Sequence, residues 1–167
     1  MALVKAYSER GLKAAGIKLL GTGETQEIFM GSYSDDVIGT VTSFHYTETN
    51  KNPENIALQA QLKKMFGDKA GTDIASVAAW DGVDLISRAV AKLGPDAEGL
   101  KYVDFIKNAK LNSPRGPAQI DPAERDIVQN MYIRRVEKRD GKLVNVDIDT
   151  VPMVKDPWKI DNPPKSN

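Results

Sequence analysis

An α/β fold is predicted from three features of this chain. Segments of helical period alternate with short runs rich in β-branched and aromatic residues. Helix ends are marked chemically: Asn52-Pro53 opens one helix, Gly67 closes it, and Gly94-Pro95 stops another. Asp140-Gly141 lies between two extended runs and suits a two-residue type I′ turn, because both central residues of that turn take positive φ.

In chain order, Leu3, Tyr7, Gly11 and Ala14 lie at helical spacing, and Gly16 stops that helix before an apolar strand at 17–20. Gly21-Thr22-Gly23-Glu24-Thr25 then leaves the C-terminal end of the strand, which is where open α/β sheets bind ligands. A short helix is expected at 26–30, a Ser/Asp-rich loop at 32–36, and a second strand at 40–47. After a polar connector, Leu58, Gln61, Leu62, Met65 and Phe66 form the stripe of an amphipathic helix. From Asp73 another helical pattern carries Leu85, Ile86, Ala89, Val90 and Leu93, and Asp96 is read as the cap of a third, with core positions Leu100, Val103, Ile106 and Ala109.

Ser113-Pro114-Arg115-Gly116-Pro117 is a rigid approach to a short strand ending at Ile120–Pro122. Counting outward from Asp140-Gly141 sets the hairpin register: Arg139 opposite Lys142, Arg134 opposite Asp147, Ile133 opposite Ile148 and Met131 opposite Thr150. Such cross-strand pairs contribute roughly 0.2–1 kcal/mol each, too little to hold a hairpin alone, so it must lie on a larger body. Arg134, Arg135, Glu137, Lys138 and Arg139 read as its solvated surface, and 153–167 as a Pro/Lys/Asp-rich tail with little to pack except Trp158.

With 167 residues and 41% hydrophobic content the chain has material for an ordinary core. Lys plus Arg and Asp plus Glu each total 23 without long runs of one sign, so neither a nucleic-acid nor an anionic-membrane surface is expected. The absence of cysteine excludes disulfides, thiolate metal sites and a cysteine nucleophile. No export signal is read at the N-terminus, and no apolar run reaches the ~18 residues of a membrane span.

The segments SPRGP, IDP, RDIVQNMYIRRVE and VKDPWK, with KAYSERGLKAAGIKLLGTGE, GTVTSFHYT and AAWDGVDLISRAVAKLG upstream, carry a resemblance that covers nearly the whole chain. They resemble the C-terminal end of substrate-binding proteins of ABC importers, in the type I periplasmic group that includes the branched-chain amino-acid receptors. The resemblance implies two α/β lobes of three layers, joined by hinge crossings and enclosing a ligand, with both lobes incomplete in this chain. On that layout 1–46 ends the second lobe, 47–52 is a hinge strand, and 53–125 returns to the first lobe. Residues 126–152 make the third crossing and the C-terminal hairpin, and 153–167 form the tail. It also implies a periplasmic location for the full-length protein and an ABC permease as partner. Sheet edges left open by such a division are expected to drive self-association.

Glu24 is the first ligand-binding candidate, since a carboxylate in a Gly-rich turn can accept hydrogen bonds from an α-ammonium group. The resemblance implies such a role for an acidic residue near this loop, with Thr22 and Gly23 in support; a solvated loop glutamate is the plainer reading. Trp80, with Ala78 beside it, stands where relatives carry Tyr-Asp-Gly and could wall an apolar or aromatic ligand, or be ordinary core. Tyr46 could line the cleft or only the hinge, for which Thr47, Asn52 and Asp126 are the candidates. His45 lacks a second metal ligand at usable spacing and reads as a hydrogen-bonded structural histidine, so no metal is expected. No cofactor is expected either, because Gly21-x-Gly23 lacks the third glycine of a dinucleotide fingerprint.

Two functions follow from the resemblance: solute capture for an ABC importer, with a branched-chain amino acid or related small carboxylate as ligand, or a ligand-sensing regulatory module of the same fold. An enzyme is the weakest reading, since no acid–base pair, metal cluster or activated nucleophile assembles from these motifs.

Overall fold

The computed structural model describes residues 2–68 and 70–162. Among the described residues six strands form one mixed sheet: β1 (Leu20–Gly21), β2 (Val41–Phe44), β3 (Lys110–Leu111), β4 (Ala118–Ile120), β5 (Ile127–Arg139) and β6 (Lys142–Val154). The helices are α1 (Ala2–Glu9), α2 (Glu27–Met30), α3 (Pro53–Phe66), α4 (Ile74–Leu93), α5 (Gly99–Ile106) and α6 (Pro157–Asp161). None of the helices among the described residues is long and apolar enough to cross a membrane.

β5 is the spine. Its residues 132–135 pair antiparallel with β2, and its residues 127–129 pair antiparallel with β4. β6 pairs with β5 at Gln129 and from Met131 to Arg139, so β2 and β4 share the opposite edge and lie end to end along it. The β1–β2 pair is parallel, and β3 closes on β4. Three clusters of buried side chains follow from this division: Val4, Met30, Val37 and Val136 at one end; Tyr46, Leu58 and Val77 in the middle; Leu85, Leu111 and Ala118 at the other.

The helix signals at α3 and α4 act as the sequence predicts. Asn52 accepts from the Asn55 N–H at 2.7 Å with Pro53 in the first turn, and Gly67 and Gly94 follow the two C-terminal ends at φ 80° and 83°. Asp73 and Ser76 form a reciprocal capping box on α4. The apolar stripes are less completely covered. Met65 and Phe66 on α3, and Ile86 on α4, are more than 60% exposed. The buried ridge of α4 is Val77, Asp81, Leu85 and Ala89, at strict i, i+4 spacing, with a carboxylate among its apolar members.

Several expectations are corrected. The first helix ends at Glu9, where turns through Gly11 at φ 62° replace the regular ladder. Asp96 does not cap α5; Glu98 occupies that place, and Leu100 faces solvent at 66% exposure. In the hairpin, Asp140 and Gly141 take the positive φ of the turn, and Arg139–Lys142 and Arg134–Asp147 pair as counted. Beyond them Ile133 meets Asp149 and Met131 meets Val151, not Ile148 and Thr150. Ile148 is the extra residue of a bulge, and a second register shift falls at Pro152–Met153, where Pro152 lacks an N–H and Met153 has φ 48°. Arg134 is not surface: it is fully buried, on the same face of β5 as Tyr132 and Val136. Trp158 is 67% exposed, and the tail docks instead through Lys155 to Asp121 and Lys159 to Asp126. The part of that tail at 163–167 lies outside the described residues.

The carboxylate in the α4 ridge is held by a buried ion pair. Asp81 Oδ2 accepts from Arg115 Nη2 at 2.8 Å and from Ser113 Oγ at 3.0 Å, and Arg115 Nη1 reaches Gln129 of β5 at 2.7 Å. Burial raises the Asp81 carboxyl, against the opposing pull of Ser113 and Arg115, so removing either partner leaves an uncompensated polar group. Asp81→Ala is expected to lower the unfolding free energy by about 3–5 kcal/mol. The double variant Asp81→Leu/Arg115→Met should lose clearly less than that, and denaturant melts of both decide.

Candidate functional site

The loop leaving β1 is shaped by close contact. A Cβ on Gly21 would meet Thr25 Cγ2 at 2.5 Å and Thr42 Cγ2 at 3.1 Å, so only glycine lets the loop turn back over β2. Gly23–Thr25 then forms a short 3-10 turn closed by Thr25 Oγ1 donating to the Thr22 carbonyl at 2.7 Å. Glu24 folds back onto Thr22, accepting from its backbone N–H at 3.0 Å and from its hydroxyl at 2.7 Å. Partial burial opposes ionisation, but the Thr22 bonds win and hold the Glu24 carboxyl below its usual range. Gln26 ties the loop to α4, its amide nitrogen donating to the Gly23 carbonyl and its oxygen accepting from the Ile74 N–H at 3.1 Å.

Phe44 links this loop to the helices. A Cβ on Gly23 would lie 3.5 Å from the Phe44 ring, and Phe44 and Trp80 both pack on the cluster of Tyr46, Leu58 and Val77. Phe44 and Trp80 thus form one aromatic wall over this shared cluster, and the loop of Thr22, Gly23 and Glu24 borders it at Phe44. Trp80 is half-buried with its indole N–H on the Asn112 carbonyl at 3.1 Å, and Ala78 is exposed on α4. Tyr46 is in the wall but faces inward: it is 2% exposed, and its hydroxyl donates to Asn55 Oδ1 at 2.8 Å.

Three segments meet where β2 ends and β4 begins. Thr47 is buried and shares a hydrogen bond with Thr49, while Asn52 donates to the carbonyls of Ser113 and Pro114 at 3.2 Å each. The Tyr132 hydroxyl of β5 donates to the Arg115 carbonyl. Gly116, at φ +94°, leaves that hydroxyl its place, since a Cβ there would lie 2.5 Å from it. Asp126 sits farther along, paired with Lys159.

Sequence reasoning missed the charges beneath this wall. Arg134 donates through Nε to Thr42 Oγ1 at 3.1 Å and through Nη1 to the Tyr46 carbonyl at 2.8 Å, with its guanidinium 5.5 Å from the Phe44 ring centroid. Thr42 in turn donates to Asn145, whose amide reaches the Thr25 carbonyl and Glu27. An arginine two residues from Tyr132 and Val136, both inward-facing, is the signal in the sequence that could have found this. His45 stacks on Phe44, with ring centroids 4.4 Å apart, and among the described residues no group hydrogen-bonds its ring. The expected structural hydrogen bond is therefore absent from it.

No set of three or more metal-ligating side chains gathers among the described residues. A cleft of about 690 Å³ lined by Glu27, Tyr33, Glu48, Thr49 and the hairpin turn does not include Glu24, His45 or Trp80. Thr22→Val is expected to raise the Glu24 carboxyl toward its ordinary 4.5, measured by NMR titration of that carboxyl. Because the folded value lies below the ordinary one, the Thr22 bonds stabilise the fold above pH about 4.5 and lose that effect as pH falls through the folded value. The acid limb of stability should flatten in the variant.

Residues 1–142 match the family model for periplasmic binding proteins. The chain is 36% identical over 159 residues to a protein named Leu/Ile/Val-binding protein homolog 6 of Brucella suis biovar 1 (strain 1330), covering 94% of this chain and 41% of that one. Among solved structures, it is similar to a solute-binding protein of an ABC transporter from Rhodopseudomonas palustris BisB5 in complex with 3,4-dihydroxybenzoic acid, at 40% identity and TM-score 0.83, covering 93% of this chain and 43% of that one. A further R. palustris solute-binding protein, in complex with 4-hydroxybenzoate, matches at 40% identity and TM-score 0.87, over 95% of this chain and 43% of that one. The chain thus spans well under half the length of these relatives and shares the partial α/β fold of their group. With its fold and most of its length matched, the chain belongs to the periplasmic binding protein family.

Proposed function

We propose that this chain is part of the solute-binding component of an ABC importer, acting without catalysis in the periplasm and delivering a small carboxylate to a membrane permease. The observation that carries the ligand class is the aromatic wall: Phe44 against His45, with Trp80 on the same buried cluster as Phe44 and the Arg134 guanidinium over the Phe44 ring. Flat apolar faces with a cation behind them suit an aromatic acid better than an aliphatic amino acid. Glu24 supports the same choice, because the carboxylate that would receive an α-ammonium group is already turned onto Thr22. Relatives at 40% identity are in complex with hydroxybenzoates, whereas those at 36% carry a Leu/Ile/Val-binding name.

Capture would proceed by lobe closure, with 47–52 and the start of β5 as crossings and Thr47, Asn52 and Asp126 near the pivots. The ties from Asn52 to Ser113 and Pro114, and from Tyr132 to Arg115, support a shared pivot at that junction. Exposed Val83, Ile86 and Leu100 on α4 and α5, each above 60%, support association of this chain with itself.

Titration of tryptophan fluorescence with benzoate, 4-hydroxybenzoate, leucine and valine, run beside light scattering, tests this. A saturable response to the aromatic acids, lost in Trp80→Phe, is expected, with a scattering mass above that of one chain. A response to leucine and valine alone would overturn the aromatic assignment, no response to any of the four would overturn capture by this chain, and a single-chain mass at high concentration would overturn association.

A further inference from the structure

His45 stands directly after β2, next to the meeting of three segments described above, in an unusual state for a half-buried polar ring. Its plane is fixed by Phe44 at 4.4 Å and 32°, yet its nitrogens are without a hydrogen-bond partner among the described residues. Leaving a polar group in that condition costs free energy unless something else satisfies it. The ring is not sealed off: Asp81 Oδ1, Arg115 Nε and Arg134 Nη2 are buried without partners, but no His45 atom is among those enclosed.

The surrounding charge selects the kind of group that would complete it. Arg115 and Arg134 both act on the imidazole, while their own bonds go to Asp81, Gln129, Thr42 and the Tyr46 carbonyl. Arg134 is fully buried and Arg115 is 5% exposed, so both supply field and not direct contact. Burial first, and then the two guanidiniums, hold His45 down to about 4. At neutral pH the ring is uncharged, with one N–H donor in a region of positive potential.

We infer that His45 is a ligand-contacting residue whose imidazole N–H donates to the carboxylate of the captured acid, within the cation field of Arg115 and Arg134. This rests on the carboxylate-capture reading above and adds to it the residue that reads the carboxylate.

The test compares benzoate with benzamide on the wild-type chain, His45→Phe and His45→Gln, by calorimetry. His45→Phe keeps the stack and removes the donor; it should weaken benzoate binding about ten- to a hundredfold. Benzamide, which lacks the charge, should be little affected, and His45→Gln should recover most of the benzoate affinity. In the wild-type protein, benzoate should move the His45 ring titration upward from about 4, read by NMR. If His45→Phe fails to fold, that ring titration decides alone. Benzoate binding that is undiminished in His45→Phe, or that leaves the ring titration in place, overturns the role of His45 while capture stands. A wild-type chain that binds no acid overturns both.

Discussion

A guanidinium with no carboxylate in ion-pair contact among the described residues lies under the middle of this sheet, and the local structure is arranged to make that tolerable. Removing a charge from water costs several kcal/mol in a real protein, so Arg134 can persist only where fixed dipoles replace its hydration. Thr42 and the Tyr46 carbonyl supply two of these, and the Phe44 ring supplies a third, weaker one. Glu27 and Asp147 offset the burial from a longer range. The requirement propagates: Thr42 must orient its hydroxyl toward Asn145, Asn145 must then hold Thr25 and Glu27, and the loop from β1 is placed as a result. The loop that carries Glu24 is thus positioned by a charge about a hundred residues away in sequence.

A second buried charge does the same for α4. Asp81 occupies a ridge position where an apolar residue would pack more simply, and its pair with Arg115 registers the helix against the Ser113–Gly116 segment. Arg115 then bonds Gln129, while its carbonyl receives the Tyr132 hydroxyl, so α4, the segment before β4 and β5 share one polar joint. The aromatic wall adjoins both joints: the Arg134 guanidinium lies over Phe44, Trp80 precedes Asp81 in α4, and Arg115 and Arg134 both act on His45.

What the sequence made legible is what local chemistry decides. Asn52, Pro53, Gly67, Gly94 and Asp140-Gly141 act where they stand, because caps and turns need only their own neighbours. The near part of the hairpin register followed from the turn, but each bulge displaced the count by one residue, and Pro152 was the sole local warning. Asp96 failed as a cap because the helix opens two residues farther on than that acceptor requires, with Glu98 in the cap position. The loop at 21–25 and Trp80 were named as candidates from position and residue type alone. Arg134, Arg115 and His45 were read as surface or as ordinary structure, since their importance lies in contacts that only the folded sheet creates.

The end-to-end placement of β2 and β4 along one edge of β5 has a mechanical consequence. The two short strands never pair with each other, and the β5 ladder to them lapses between Gln129 and Tyr132. Bending at that gap therefore breaks no backbone rung on that edge, while β6, whose own register slips between Gln129 and Met131, is already relaxed opposite it. A bend there would instead load the side-chain ties that join the two sides of the gap, Asn52 to Ser113 and Tyr132 to Arg115.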